Sequence, residues 1–305
     1  MRRLSFFGRY CANHASRTGS GTRVFCAASL GGAAATAAAA SVLRKSPGTP
    51  LSCTASEDLR EITVPASQSP SAVAPKSAVT RVFIMRHGET VWNAEKRIQG
   101  QLDVELNDNG RLQAQRAAEA LGQMGILERV DAVVSSDLAR ASQTADIIWK
   151  SCPQARRFTT AGLREVNFGE YQGQLSADVD AQRGVVREAW AQSDFGQAYP
   201  GGENAHEVMG RGLRSLKAAA KLGETVIVAS HGTVLKWSAI HIELDEKHPP
   251  ATDLMELPNV AKVMKSKVPN CCCSTLVYNH ETDRFHSEGW FQVLSGIDEA
   301  KDDSG

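Results

Sequence analysis

Two apolar runs in this chain stop at histidine and glycine: residues 82–85 run into Arg86-His87-Gly88-Glu89, and residues 225–230 run into His231-Gly232-Thr233. A neutral imidazole nitrogen can attack phosphorus and carry the group covalently, while a planar, permanently charged guanidinium beside it can grip two phosphate oxygens. Arg86 and His87 supply both parts, and Gly88 lets backbone come close to a ligand. Taken alone, Arg-His-Gly also fits a surface histidine, so the chemistry depends on partners from elsewhere. Arg140 falls in the first turn of an expected helix, where the helix dipole disfavours a cation. A bound anion there would turn both dipole and guanidinium to the same task, whereas without one Arg140 reads as a solvated arginine. Glu165 and Glu170, in the glycine-punctuated stretch 163–173, are candidate acids. Glu89 is either a helix-start acid or a second proton-handling group. The other histidines, His14, His206, His241, His248, His280 and His286, read as surface or structural residues.

These residues need elements that bring them together. Residues 82–85, 131–136 and 225–230 have the length and β-branched content of buried strands, and 158–161 reads as a further short one. Helices are expected from about Asn107 to Leu121, from Leu138 to Lys150, over 205–221 and from Thr233, and 174–200 reads as helix with polar breaks. Residues 245–267 read as a proline-interrupted charged insertion, followed by a terminal strand pair at 274–279 and 284–291. Strands alternating with helices give an α/β sheet whose ligands bind over the carboxyl ends of the strands, where His87 and His231 stand.

The chain is not uniform. Residues 1–56 contain no Asp or Glu but carry Arg2, Arg3, Arg9, Arg17, Arg23, Arg44 and Lys45, the composition of an organelle transit peptide. Arg2-Arg3 with Leu4, Phe6 and Phe7 suits a mitochondrion, the Ser, Thr and Ala content a chloroplast, and a tail that is not a signal would leave the protein cytosolic. Within this segment, residues 24–43 are uncharged but dominated by Ala and Gly, so membrane anchoring is not expected. A linker follows at 57–79, then a domain at 80–292 and a tail at 293–305. Without those seven cations, 27 basic residues face 34 acidic ones, a net charge of −7. Such a body argues against nucleic acid as partner. The seven cysteines (Cys11, Cys26, Cys53, Cys152 and Cys271-Cys272-Cys273) show no zinc-site spacing. They read as small apolar residues in a reducing compartment, with a redox-sensitive thiol as the alternative.

Four elements in order, Arg86-His87-Gly88-Glu89 with Asn93 beyond, Ser-Ser-Asp-Leu-Ala-Arg140, Leu-Arg-Glu165 before Phe-Gly, and Ser230-His231-Gly232, resemble the histidine phosphatase superfamily in its phosphoglycerate-mutase-like branch. The similarity spans about residues 80–292 and extends through Gln99-Gly100 to Leu106 and to Pro200-Gly-Gly-Glu203. It implies an α/β three-layer sandwich with a mostly parallel central sheet, phosphoglycerate-mutase-like. It further implies His87 as nucleophile, and a phosphoryl pocket of Arg86, Arg140 and His231 with Asn93, Gln99 and Gly100 binding substrate. Glu165 would be the proton donor and acceptor, and a neighbouring phosphate dianion favours its protonated form. No metal or cofactor is implied, because two arginines and a second histidine can meet the phosphoryl charge. The expected partner is a small phosphorylated metabolite; nothing in the residue pattern assigns an oligomeric state.

A mutase must keep water from the phosphohistidine and grip a carboxylate, and the longer mutases carry paired arginines between the acid and the second histidine. Here Glu165 and His231 are 66 positions apart with no adjacent Arg pair between them. Arg183 and Arg187 substitute only if one helix turn presents both. Phosphatase is therefore the expectation, phosphoglycerate mutase the alternative, and an inactive binding protein on the same fold the third reading.

Overall fold

The structure is a computed structural model that describes residues 77–245 and 252–294. The expected transit peptide with its 24–43 run, the linker up to residue 76, positions 246–251 of the charged insertion and the tail from 295 lie outside the described residues. Among the described residues, no helix is long and apolar enough to cross a membrane.

In chain order the elements are β1 (Val79–Arg86), a single helical turn α1 (Val91–Ala94), α2 (Asp108–Gln123), β2 (Ala132–Ser136), α3 (Ala139–Trp149) and β3 (Arg156–Thr160). Then come α4 (Ser176–Ala191), α5 (Ala205–Ala220), β4 (Thr225–Ser230), α6 (Gly232–Glu243), α7 (Pro258–Lys265), β5 (Cys273–Asn279) and β6 (Arg284–Gln292). The six strands form one sheet in the order β3-β2-β4-β1-β5-β6. β1 to β4 are parallel, joined by helical crossovers, and β5 pairs antiparallel with β1 and β6.

Alternation along the strands splits the core in two. Val82, Ile84, Val226 and Val228 face one way and pack with α4, α5 and α6, while Phe83, Met85, Ile227 and Ala229 face α2 and α3. The result is a three-layer α/β sandwich with a mostly parallel sheet, as the sequence led one to expect. Cys272 joins the first core and Cys271 and Cys273 the second, so the adjacent thiols stand on opposite faces, and none of the three is in a disulfide among the described residues.

Three expectations are corrected. The first strand is longer than 82–85, because pairing with β4 and β5 carries it from Val79 to Arg86. Only α4 is helical within 174–200, and the chain then turns through Gly201 at a φ of +65°. The insertion holds a helix: Pro258 occupies its first turn, where its missing N–H costs nothing, and Val260, Ala261 and Val263 are buried. A proline that starts a helix looks, in sequence, like one that interrupts it.

Candidate active site

In the β1–β4 ladder Arg86 lies opposite Ser230, so His87 and His231 leave the sheet side by side. The His87 N–H donates to the Ser230 carbonyl at 2.9 Å, and the His87 carbonyl accepts from Asn270 Nδ2 at 2.8 Å. The two imidazole rings lie 5.2 Å apart, centroid to centroid. His87 Nδ1 is 2.7 Å from the Gly88 carbonyl oxygen. A carbonyl only accepts, so Nδ1 carries the proton and Nε2 keeps its lone pair. Both ring nitrogens of His231 are buried with no hydrogen-bond partner among the described residues, leaving a donor and an acceptor for a bound group.

Burial, followed by the charges of Arg140 and Arg86, holds His87 well below the ordinary imidazole range. His231 is held down by burial, then by Arg140 and His87. Both rings are therefore neutral at neutral pH, the state a nucleophilic imidazole requires.

Gly88 has a different reason from the one its sequence suggests. A Cβ on Gly88 would sit 2.3 Å from the Gly110 carbonyl oxygen, and one on Gly110 would sit 2.0 Å from that of Glu89. The paired glycines let the start of α2 close on the strand exit. Asn107 caps that helix and its Nδ2 donates to Glu89 Oε1 at 2.7 Å, which ties the Glu89 carboxylate to the start of α2.

Arg140, 1% exposed, is the second residue of α3. Its Nη1 donates to the Leu102 carbonyl at 2.9 Å and its Nη2 to the Gly100 carbonyl at 2.6 Å, so the guanidinium clamps the loop carrying Gln99 and Gly100. Thr144 Oγ1 donates to the Arg140 carbonyl at 2.7 Å and accepts from the Gly88 N–H at 3.0 Å, tying α3 to the His87 turn. Burial brings the Arg140 guanidinium down to about 10, against Glu165 and Asp103, which leaves it charged at neutral pH. Arg86 Nη1 donates to the Val268 carbonyl at 2.6 Å.

Glu165 is fixed by backbone from two places. Its Oε1 accepts from the N–H groups of Val166 at 2.9 Å and Val234 at 3.1 Å, and its Oε2 from Thr233 at 3.1 Å. The carboxylate thus caps α6, whose own N-cap, His231, makes no side-chain cap bond. Oε2, with one bond, is the oxygen with room to exchange a proton. The loop is held from behind by Arg211, which pairs with Glu203 at 2.7 Å and donates to the Glu165 carbonyl at 2.9 Å.

Of the eight residues the sequence singles out, Arg86, His87, Asn93, Gln99, Gly100, Arg140 and Glu165 line one hollow of about 110 Å³. His231 is absent from its wall and packs against His87 instead. Asn93 Oδ1 accepts from the Thr90 N–H at 3.2 Å, closing a capping box, so its amide NH₂ remains for the hollow. Gln99 Oε1 is buried without a hydrogen-bond partner among the described residues. Glu170 does not line the hollow. The sequence reading passed over Lys96, Arg97 and Phe168 in its wall, although Lys96-Arg97 lies between Asn93 and Gln99 and was legible as local positive charge. Arg211 left no signal, since a helical arginine reads as solvated. Arg183 lines the hollow too, its guanidinium 5.2 Å from the centre of the Phe168 ring.

The family model for the histidine phosphatase superfamily (branch 1) matches residues 82–290. Phosphoglycerate mutase-like protein 4 of Arabidopsis thaliana is 39% identical over 158 residues, covering 51% of this chain and 67% of that protein. A metal-independent phosphoserine phosphatase of Arabidopsis thaliana is 38% identical over 177 residues, covering 57% and 72%. Among solved structures, a mycobacterial glucosyl-3-phosphoglycerate phosphatase superposes with a TM-score of 0.54 at 29% identity, covering 70% of this chain and 100% of that one.

Proposed function

This chain belongs to the histidine phosphatase superfamily, branch 1, and from that premise we propose that it hydrolyses small phosphomonoesters through a phosphohistidine at His87. The observation that carries the reading is one cationic hollow holding a neutral imidazole with a bare Nε2 and a carboxylate fixed at its edge, with a second neutral imidazole packed behind the first at 5.2 Å.

Arg86 and Arg140 grip the phosphoryl oxygens, with Asn93, Gln99 and Gly100 completing the contact, and His231 donates to the same group. His87 Nε2 attacks phosphorus, the bond to the leaving oxygen breaks, and Glu165 gives that oxygen its proton. Water then attacks phosphorus as Glu165 Oε2 takes the water's proton, the N–P bond breaks, and phosphate leaves. The guanidiniums and His231 meet the developing charge, so the proposal needs no metal ion.

Hydrolysis is favoured over transfer because a cavity of about 540 Å³, which shares Arg86, Glu165 and Thr233 with the hollow, gives space for water on the Glu165 side. One observation favours the mutase alternative: Arg183 and Arg187, one turn apart on α4, both line that cavity. Phosphate release from a panel of phosphomonoesters by wild type and His87→Ala, beside interconversion of 2- and 3-phosphoglycerate, tests both. Release lost in His87→Ala and exceeding interconversion is the expected result. Interconversion exceeding release would establish the mutase, and inactivity of wild type on every ester would reduce the chain to a binding protein.

A further inference from the structure

The cavity beyond Glu165 lies on the leaving-group side of the reaction, between α4, α6 and the α7–β5 connection. Its charge is one-sided: Arg86, Arg183, Arg187, Lys236, Lys265 and Lys267 line it, and Glu165 is its single carboxylate among the described residues.

Helix periodicity produces this wall. Thr233, Lys236, Trp237 and Ile240 occupy one face of α6 and all line the cavity. Arg187 is paired with Asp180 at 2.8 Å. Arg183 and Lys236 are not so neutralised. Arg183 Nη1 donates to the neutral Ser176 hydroxyl at 2.8 Å, its flat face lies on Phe168, and its Nε is buried without a hydrogen-bond partner among the described residues. Lys236 Nζ donates to the Met264 carbonyl at 3.2 Å, leaving two further N–H donors, and neither cation forms an ion pair among the described residues. Asp180 and Glu165 act on Arg183 only at a distance, and half-buried cations without a direct ion-pair partner gain when something anionic comes to them.

Resting on the phosphatase reading, we propose that this cavity selects phosphomonoesters whose alcohol part carries a second anionic group and no ammonium, with Arg183 and Lys236 as the residues that make the selection. A carboxylate or second phosphate there gains charge-assisted hydrogen bonds from both, whereas an ammonium adds like charge to a cationic wall. The proposal therefore ranks a carboxylated alcohol above an amino acid of the same size.

The test compares kcat/KM for 3-phosphoglycerate, glycerol 3-phosphate and phosphoserine, three esters of similar size whose leaving groups are anionic, neutral and zwitterionic. Wild type is expected to prefer 3-phosphoglycerate to each of the others by about tenfold or more, the scale of one charge-assisted hydrogen bond. Arg183→Met and Lys236→Met should each lower the ratio of 3-phosphoglycerate to glycerol 3-phosphate by about 10- to 100-fold, and Arg183→Lys should retain part of it. Lys236→Met carries the test should loss of the Phe168 stack leave Arg183→Met unfolded. An active wild type with ratios near one, or a ratio unchanged in the variants, overturns the selection and leaves the phosphatase standing. No phosphate release from any ester overturns both.

Discussion

Replacing Glu165 with glutamine separates its two roles. The three backbone donors define the perturbation: the glutamine oxygen keeps the bonds from Val166 and Val234, while its NH₂ meets the Thr233 N–H donor to donor. One unsatisfied N–H costs about 1–3 kcal/mol. A domain of this size loses roughly 2–4 °C of Tm per kcal/mol, so Glu165→Gln should melt roughly 2–12 °C lower and remain folded. Its chemistry changes more. With no proton for the leaving oxygen, an alkyl phosphate should lose roughly 10²–10⁴ in rate, the usual worth of a general acid. A p-nitrophenolate leaves without a proton, so formation of the phosphohistidine from p-nitrophenyl phosphate should be nearly spared. Release from His87 still needs a base, and stopped-flow absorbance should show a burst of about one p-nitrophenolate per site followed by a slow phase. Equal losses on alkyl and aryl esters in the first turnover, with no burst, would refute the assignment.

Two further predictions concern the scaffold. His87 and His231 are held neutral when folded but titrate near 6.5 when unfolded, so the unfolded chain takes up protons that the folded one refuses. Stability from these groups is present above about 6.5 and falls as pH drops below it, by about 1.4 kcal/mol per pH unit for each ring. Urea unfolding between pH 5 and 6.5 should show His231→Asn with a slope shallower by one ring's share, and an equal slope would contradict the burial argument. Gly110→Ala forces a Cβ to within 2.0 Å of the Glu89 carbonyl oxygen and should destabilise by about 1–3 kcal/mol. Gly122→Ala, in the same helix with its nearest neighbour at 3.5 Å, should stabilise by about 0.4–1 kcal/mol. Thermal melts that shift both variants the same way would refute the close approach.

What was legible in the sequence was local. A strand ending in His-Gly carries its signal in adjacent residues, and the second such ending, at His231, revealed that two imidazoles share one sheet edge. Arg140 was legible as a conflict, a cation at a helix start, and the conflict resolves in its bonds to the Gly100 and Leu102 carbonyls. What was not legible depends on distant backbone. Glu165 caps a helix that begins 67 residues later, and neither segment announces the other. Gly110 is required only because α2 closes on the exit of β1, a distance no composition records. The size and one-sided charge of the leaving-group cavity arise from α4, α6 and the α7–β5 connection meeting, three segments that each read as an ordinary mixture of charge and apolar residues.

The central claim is that His87 carries the phosphoryl group, and intact-protein mass measurement tests it most directly. Glu165→Gln is mixed with p-nitrophenyl phosphate, quenched in base during the burst, and digested to locate the label. A mass gain of one phosphoryl group on the peptide containing His87, absent when His87→Ala is added, is the predicted result. A burst that leaves no phosphoryl group on the protein, or one carried by any other residue, would contradict it.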